Sequence, residues 1–414
     1  MPGRRGNRAA GRQVVVVGLN YAPETTGIAP YTTGLARYLA ANGHDVTVVT
    51  GYPHYPEWKR HPDYRTARPV ETDHGVRLVR VSHPVPRDPT GPARIWMEFV
   101  FAAGAAVQLL RHRPDVVVVI SPALLALVPA VLLRPLLGYR VGAVVQDLYG
   151  AALSETGLGG GALTRATAWL ESALLRRVRG VTVIHEVFRA RLIAGGVRDD
   201  RIQVVPNWVH VTMPAGEDRE ATRRELGWAT DEVIALHAGN MGAKQGLGGL
   251  IEVARLAEEQ NSNVRVVLLG NGSQRTALER QAQGLSRLSF MDPLPDGRFE
   301  RALAAADCLL LHEKPGVVEM SVPSKLTTYF AAGRPTVAAT DPRSGAAALM
   351  AASGAGATVR AGDPAAILAA IQDVVADEAT AAEFGARGRR YAEVRLSGAS
   401  SLPRQEAWVR LLRS

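Results

Sequence analysis

The sequence has very little cysteine: Cys308 is the only one in 414 residues, so the chain cannot form an intramolecular disulfide. Hydrophobic residues make up 47% and charged residues 21% of the sequence, which is ordinary for a soluble globular protein. A lone thiol is natural in a reducing compartment. We therefore expect a cytoplasmic protein, with a peripheral position on the inner face of a membrane as the alternative.

The chain also lacks an uninterrupted apolar run of transmembrane length. Its longest apolar run, Val116 to Leu133, is broken by a serine and two prolines. A helix needs about 20 largely apolar residues to cross a bilayer. A buried strand at 116–120, a turn and a packed helix through Leu137 explain the run better, because the same alternation of strand and helix continues on both sides.

Several catalytic and metal-binding patterns are absent. The sequence has no Asp-x-Asp pair and no histidine pair at metal spacing, and it has no Gly-x-Ser-x-Gly or Cys–His arrangement. We therefore expect no metal and no cofactor.

Lys and Arg exceed Asp and Glu by nine, but nucleic-acid-binding signatures are missing. The basic surface suits a phosphorylated small molecule or anionic lipid better than nucleic acid.

Short apolar strands alternate with helices along the chain, which is typical of parallel sheets with right-handed crossovers. We predict an α/β fold of two Rossmann-like domains facing each other across a cleft, with ligands at the carboxyl ends of the strands. The predicted divisions are a disordered basic arm (1–12), an N-terminal Rossmann-like domain (13–210), a C-terminal Rossmann-like domain (211–395), and a C-terminal helix (396–414) that could pack back on the N-terminal domain.

The most informative stretch runs from Gly239 to Gly246, between a predicted strand and a predicted helix. Its glycines let the backbone approach a ligand closely, and a helix start attracts anions. Lys244 adds a mobile charge suited to phosphate. Lys325 opens a second predicted helix, with Ser324 as its N-cap. Two such helix ends with two lysines favour a diphosphate, although a plain turn with a solvated lysine is the simpler alternative.

The N-terminal half contains further candidates. Asp147 ends a predicted strand, where it could orient a sugar hydroxyl or cap a helix. Glu24 lies in a proline–glycine loop and could be an acid, a hydroxyl ligand or a solvated carboxylate. The tyrosines and histidines at 52–61 lie in a long predicted loop and could meet a substrate or decorate the surface. His185 and His237 are expected to be structural.

Several short segments, in this order and spacing, resemble family 4 retaining glycosyltransferases of the GT-B fold. The resemblance covers nearly the whole chain after residue 12 and is closest to the colanic-acid and capsular-polysaccharide branch. The segments are Asn20–Glu24 with Gly27, Val145–Tyr149, Val204–Val209, Gly239–Gly246, Leu269–Gly272, and Pro323–Leu326 with Ala332–Pro335.

The resemblance implies a nucleotide-sugar donor bound mainly by the C-terminal domain and a sugar-containing or lipid-linked acceptor held by the N-terminal one. Because no nucleophile stands out, it also implies a front-face reaction that retains the anomeric configuration. The positions predicted for the donor diphosphate are Gly27, Asn240, Lys244, Gly246, Ser324 and Lys325. The nucleotide or ribose positions are Thr328 and Gly270, the acceptor positions are Tyr21 and Glu24, and the catalytic positions are Asp147, Lys244 and Glu24.

One departure from the family pattern concerns the ribose. Many members carry two glutamates eight residues apart before the Ala-Gly-x-Pro segment, whereas this sequence has Met320 and Thr328 there, with Glu319 beside the first. A threonine hydroxyl holds a ribose less strongly than a carboxylate does. The branch often lacks the second glutamate. A non-catalytic nucleotide-binding pseudo-transferase is therefore kept as an alternative, beside a nucleotide-sugar epimerase of related fold.

An anionic membrane surface is a further candidate partner. Trp96, Met97, Phe99 and Phe101 lie on a predicted helix and could add apolar anchoring to nearby basic residues, a combination typical of interfacial binding. A solvated basic face and an ordinary core helix are the alternative. The basic residues in question are Arg4, Arg5, Arg8, Arg12, Arg165, Arg176, Arg177 and Arg179.

Overall fold

The computed structural model describes residues 13–64, 70–86, 91–121, 123–148, 162–214, 216, 218–316 and 324–413. The predicted arm at 1–12 lies outside these residues. The chain forms two compact units. The first unit takes the described residues up to 206 and the chain from Ser401 onward, and the second takes the described residues between Asn207 and Ser400.

The strands are short and rich in valine, leucine and alanine. They are β1 Gln13–Val17, β2 Asp45–Gly51, β3 Val70–Asp73, β4 Val76–Val81, β5 Val116–Ile120, β6 Arg140–Val145, β7 Gly180–Val183, β8 Ile202–Val204, β9 Val233–Ala238, β10 Val264–Leu269, β11 Leu288–Met291, β12 Cys308–His312, β13 Thr336–Thr340 and β14 Gly356–Arg360.

The helices connect successive strands. They are α1 Ala29–Ala41, α2 Gly91–His112, α3 Leu127–Leu132, α4 Arg134–Leu137, α5 Ala162–Leu175, α6 Glu186–Ala194, α7 Arg219–Glu225, α8 Gly248–Glu259, α9 Arg275–Gln281, α10 Arg298–Ala305, α11 Ser324–Ala332, α12 Gly345–Ser353, α13 Pro364–Val374, α14 Glu378–Arg395 and α15 Gly398–Leu411.

Each unit is built on one sheet with helices packed against it. In the first unit the strand order is β3-β4-β2-β1-β5-β6-β7-β8, and all described neighbours are parallel except β3 and β4. In the second unit the order is β11-β10-β9-β12-β13-β14, with parallel pairing throughout the described strands. The central strands are buried along nearly their whole length, which explains their continuous apolar runs. The predicted α/β fold class is confirmed.

The long apolar run after residue 115 folds as predicted in outline. Its first part is β5, and its second part is helical. The single helix predicted through Leu137 is instead split into α3 and α4, with Pro135 in the first turn of α4. Proline favours the start of a helix because it has no N–H to donate.

Two of the described strands and two of the described helices were missed by the sequence prediction. The strand β3 lies in the stretch predicted as a loop and pairs antiparallel with β4 at the sheet edge. Three of its four residues are polar, and exposed and half-buried positions alternate along it, so it lacks the apolar run that marks the central strands. Helix α7, which is mostly charged, and the pair α12 and β14 were missed as well.

The last helix, α15, packs on the first unit. Trp408 and Leu412 cover two glycines of its sheet: a Cβ added at Gly142 would lie 2.4 Å from Leu412 Cδ1 and 2.7 Å from the Trp408 ring. His44 lies 3.1 Å from the Glu406 carboxylate of the same helix. The chain therefore returns to its first unit after completing the second.

Candidate active site

In the second unit, backbone hydrogen bonds join the loops that follow β9 and β10. Gly239 N–H donates to Leu269 O over 2.8 Å, and Met241 N–H donates to Asn271 O over 2.8 Å. Gly270 has φ +134°, and a Cβ there would lie 2.1 Å from Gly239 O. Only glycine fits this approach, so the loop that begins at Gly239 rests on a glycine of the neighbouring loop.

The far end of the same loop is held by the chain that follows β12. Lys314 N–H donates to Lys244 O over 2.8 Å, and His312 Nδ1 lies 2.7 Å from Gln245 O. Gly246 has φ +57°, and a Cβ there would lie 2.9 Å from Lys314 Cα. The backbone of Lys244 is therefore fixed just before α8 begins, while its side chain is only partly buried.

Lys325, in the first turn of α11, reaches the start of this loop. Its Nζ lies 2.9 Å from His237 Nε2 and 3.4 Å from Asn240 O. Burial, and then the charge of Lys244, lower the pKa of Lys325 to about 7. Two lysines that repel each other at the mouth of a glycine loop form a site that favours an anion.

The two other predicted positions of α11, Thr328 and Ser324, have surroundings that differ from those of Lys325. Thr328, predicted for the ribose, is buried with 7% exposure. The neighbouring Tyr329 hydroxyl accepts from Ala238 N–H over 2.9 Å and so holds α11 to the end of β9. Ser324 is exposed and begins the helix. Glu319 and Met320, which matter for the family pattern, lie outside the described residues.

In the first unit, Glu24 joins two loops. One carboxylate oxygen accepts from the N–H groups of His54 and Tyr55 over 2.7 and 2.8 Å, and the other accepts from Asn20 Nδ2 over 2.9 Å. Burial raises the pKa of Glu24, and these donors oppose that shift. Glu24 is only 8% exposed, so the alternative of a solvated loop carboxylate is wrong. Its predicted acceptor and catalytic roles stay predictions.

Tyr21, also predicted for the acceptor, lies in the interior of the first unit. It is 1% exposed, and its hydroxyl donates to Asp73 over 2.9 Å. Arg37 forms a two-pronged ion pair with the same carboxylate, with distances of 2.8 and 2.9 Å. These contacts connect α1 to the end of β3, and they lend no support to an acceptor contact by Tyr21.

Three predicted residues of the first unit lie around Tyr55. Gly27 has φ +65°, and a Cβ there would lie 3.0 Å from the Tyr55 ring. Burial, followed by the charges of Asp147 and Glu24, raises the pKa of Tyr55. Ser121 Oγ accepts from Asp147 N–H over 3.3 Å, which fixes that residue just after β6. The sequence indicated Tyr55 only as one of the aromatic residues at 52–61.

The same segment forms an aromatic cluster. The rings of His54 and Tyr55 lie 5.5 and 6.1 Å from that of Trp58, and the guanidinium of Arg94, from α2, lies 5.2 Å above Trp58. Arg60 lies 3.8 Å above the ring of Tyr52. Aromatic rings with arginines lying over them suit sugars and anionic groups.

The two histidines predicted to be structural both have partners in the structure. His185 caps α6 by accepting from Val187 N–H over 3.2 Å, and burial lowers its pKa. His237 is wholly buried in β9 but contacts Lys325, so its role extends to the site. Among the described residues, no group of three or more His, Cys, Asp and Glu side chains is placed to hold a metal ion.

Comparison with known proteins identifies the family. A model described as "Glycosyl transferase 4-like domain" matches residues 26–208, and one described as "Glycosyl transferases group 1" matches residues 218–391. WcaI of Escherichia coli (strain K12), named as a colanic acid biosynthesis glycosyl transferase, is 31% identical over 335 residues, which cover 78% of this chain and 81% of WcaI. The chain belongs to the group 1 glycosyltransferases.

Solved structures agree on the fold of this glycosyltransferase. Sucrose-phosphate synthase from Thermosynechococcus elongatus superposes with a TM-score of 0.74 at 17% identity, covering 97% of this chain and 99% of that one. Anabaena HepE in complex with UDP-glucose gives 0.71 at 14% identity, covering 96% and 99%. At these identities the likeness concerns the fold, which is GT-B.

The glycosyltransferase thus collects its predicted residues at two places. Asn240, Lys244, Gly246, Gly270 and Lys325 lie at the carboxyl edge of the second sheet, and Glu24, Gly27 and Asp147 surround Tyr55 in the first unit. The side chains of Tyr21 and Thr328 are buried. Sequence reasoning did not find the contribution of His237, although a polar residue within an otherwise apolar strand was an available signal.

Proposed function

We propose that this glycosyltransferase transfers a sugar from a nucleoside diphosphate sugar, with retention of configuration, to an acceptor of cell-envelope polysaccharide synthesis. The observation that carries the proposal is the convergence of Lys244 and Lys325 on the glycine loop after β9. The UDP-glucose bound to HepE, a protein of the same fold, supports a nucleotide-sugar donor. WcaI, named for colanic acid biosynthesis, supports the polysaccharide context.

The chemistry needs cations where the leaving group develops charge. The bond from the anomeric carbon to the diphosphate oxygen breaks, and a bond from that carbon to the acceptor oxygen forms on the same face. The acceptor's proton goes to the departing phosphate oxygen. Lys244, Lys325 and the positive dipole ends at the starts of α8 and α11 would stabilise the nucleoside diphosphate. Because these groups are held in place before the reaction, little reorganisation is required.

A panel of nucleotide sugars tests this proposal, with products read by mass spectrometry and the anomeric configuration read by NMR. We expect a glycosylated acceptor, or slow hydrolysis to free sugar, with the donor's configuration retained. An isomerised nucleotide sugar without transfer would favour an epimerase instead. Binding without any turnover would favour a non-catalytic protein. Inverted product would contradict the front-face reaction.

The aromatic cluster of the first unit is the proposed acceptor site. Trp58 and Tyr55 offer ring faces, Arg94 brings positive charge to Trp58, and Arg60 brings positive charge to the ring of Tyr52 in the same segment. A sugar stacks on aromatic faces, and an arginine binds phosphate groups in a fixed geometry. This combination fits an acceptor with both a sugar and a phosphate, as a lipid-linked glycan has.

Helix α2 supports a membrane location for that acceptor. Among the described residues it is the one helix long and apolar enough to cross a bilayer, judged by length and composition. Its inner face instead packs on the sheet: Met97 and Phe101 are fully buried, so their predicted role in anchoring is wrong. Its outer face is an exposed apolar stripe with helical spacing. The stripe contains Ile95, Trp96, Phe99, Val107 and Leu110, which are 49%, 58%, 55%, 44% and 46% exposed.

Neighbouring helices extend this surface. Helix α3 packs against α2, α4 and α5. Helices α3, α4 and α5 expose Leu132, Leu136 and Trp169 at 69%, 72% and 67%, respectively. Arg165 is exposed one turn before Trp169, and Arg134 donates to Arg177 O over 2.9 Å. Apolar side chains bordered by arginines match the interface of an anionic bilayer, where each basic residue contributes about 1 kcal/mol.

Liposome co-sedimentation tests the membrane surface. We expect the wild-type protein to pellet with anionic vesicles at low salt, and less so with neutral vesicles or at high salt. Trp96→Ser with Phe99→Ser should release it, because these stacked rings, 5.6 Å apart, lie at the centre of the stripe. Val394→Ser is the matched control, since Val394 is 62% exposed on α14. Equal recovery in the supernatant under all conditions would favour a soluble acceptor.

A further inference from the structure

The contact between Lys325 and His237 joins the first turn of α11 to the carboxyl end of β9. The lysine passes over Gly239, whose φ is +123°, and a Cβ added there would lie 2.9 Å from Lys325 Cε. Its Nζ lies 2.9 Å from His237 Nε2. Because Gly239 leaves the space open, the ammonium reaches an imidazole that lies beneath the loop.

The hydrogen-bond partners of His237 define its tautomer. Its Nδ1 lies 3.0 Å from Leu310 O, and a carbonyl only accepts, so Nδ1 carries the proton. Nε2 therefore presents a lone pair, to which Lys325 donates. The side chain is 0% exposed, and burial, followed by the charge of Lys325, holds the pKa of His237 well below its ordinary value. The imidazole is neutral and acts as an acceptor.

We propose that His237 is a positioning residue for the donor: its neutral imidazole holds the Lys325 ammonium at the mouth of the Gly239–Gly246 loop, where binding of a diphosphate completes the protonation of that lysine. This inference rests on the proposed function, because it concerns the same donor site. In this proposal β9 both carries the loop and places the imidazole that holds Lys325. His237, a buried polar residue, takes no direct part in the transfer reaction.

The charges around Lys325 explain why its protonation depends on the ligand. Lys244, from the loop after β9, lowers the pKa of Lys325, and Glu313, after β12, raises it; burial is the largest cause, and the result is about 7. His237 and its neighbour His312 are both held neutral by burial. An anionic diphosphate beside the two lysines would favour their charged forms.

The sign of the pH dependence follows from this arrangement. Below pH 7, Lys325 is already protonated and a diphosphate binds with full affinity. As pH rises above about 7, binding must also take up a proton, so affinity falls by up to about tenfold per pH unit. The fall ends where the bound complex loses the same proton.

Calorimetric titration with UDP and with GDP, at pH 6 to 9 in buffers of different ionisation enthalpy, tests the inference. For the wild type we expect about one proton taken up at pH 8 and almost none at pH 6. Lys325→Met should bind more weakly and lose this uptake. His237→Phe removes the acceptor and lowers the pKa of Lys325 further, so its affinity should begin to fall at lower pH and be about tenfold weaker at pH 8.

A second variant separates positioning from folding. His237→Gln places an amide oxygen within reach of Lys325 and should restore most of the affinity and the wild-type pH profile. With active enzyme, His237→Phe should raise the KM for the donor more than it lowers kcat. His44→Gln is the control for losing a buried histidine, because His44 pairs with Glu406 in the first unit. It should change stability and leave the pH profile of binding unchanged.

The outcomes distinguish the two proposals. If the wild type binds neither UDP nor GDP, the nucleotide-sugar donor is contradicted, and this inference fails with it. If the wild type binds and His237→Phe has the same affinity and the same proton uptake, the inference alone is overturned. Undiminished proton uptake in Lys325→Met would also overturn it, because another group would then be titrating.

Discussion

Lys244 combines a fixed backbone with a partly exposed side chain. We expect Lys244→Ala to lower kcat/KM by about 10²-fold or more, because a charge that faces the leaving diphosphate acts mainly in the transition state. The free energy of unfolding of this variant should change by less than about 1 kcal/mol, as for other surface charges. Steady-state kinetics measure the effect on kcat/KM, and urea denaturation measures the effect on stability. Arg255→Ala removes a surface charge from α8, paired with Glu252 over 3.3 Å, and should leave turnover unchanged.

Gly270 has little room for a side chain, because Gly239 O would lie 2.1 Å from a Cβ. We expect Gly270→Ala to displace the loop that carries Lys244, raising the donor KM and destabilising the second unit by about 1–3 kcal/mol or more. Gly284→Ala is the control: φ is +84° there, but nothing lies within 4 Å of the added Cβ. Comparing the thermal unfolding and the donor KM of the two variants separates the effect of the clash from the effect of backbone strain. Equal effects in both variants would show that the close approach of Gly239 O to residue 270 is unimportant.

At the scale of elements, α15 closes the first unit through Trp408, which is 4% exposed and lies over Gly142 and Gly180. We expect Trp408→Ala to reduce the free energy of unfolding by about 3–5 kcal/mol, as for other buried aromatic side chains. Leu411→Ala, on the same helix at 64% exposure, should cost less than about 0.5 kcal/mol. Denaturation of both variants, followed by tryptophan fluorescence and circular dichroism, measures the two losses of unfolding free energy. Similar losses would mean that the contact of Trp408 with the sheet is not what holds α15 in place.

For the whole molecule, the two units provide cations, N–H groups and aromatic rings, and the described residues contain no cluster of three metal-ligand side chains. We therefore expect transfer to proceed in EDTA at a rate within about twofold of the untreated rate, since the lysines would neutralise the leaving diphosphate. Activity that disappears in EDTA and returns with magnesium or manganese would contradict this. A parallel assay with Lys325→Met would show whether added metal replaces the missing charge.

The sequence by itself determined the alternation of strands and helices and the place of the glycine loop. The apolar strand β5, for example, was predicted with its observed bounds. This succeeds because a parallel strand buried on both faces must be apolar along its length, and glycine and lysine before a helix have a local physical meaning. The family resemblance also depended on short segments, each readable without knowing its neighbours in space.

The tertiary structure decided which distant residues meet. His237 and Lys325 are 88 positions apart, and their contact depends on β12 lying beside β9 and on an open space at Gly239. The same holds for Tyr55 over Gly27, and for Trp96 and Phe99 being exposed while Met97 and Phe101 are buried. Periodicity gives a helix its apolar positions, but only the packing partner decides which of them are covered, because that choice depends on contacts between segments far apart in the chain.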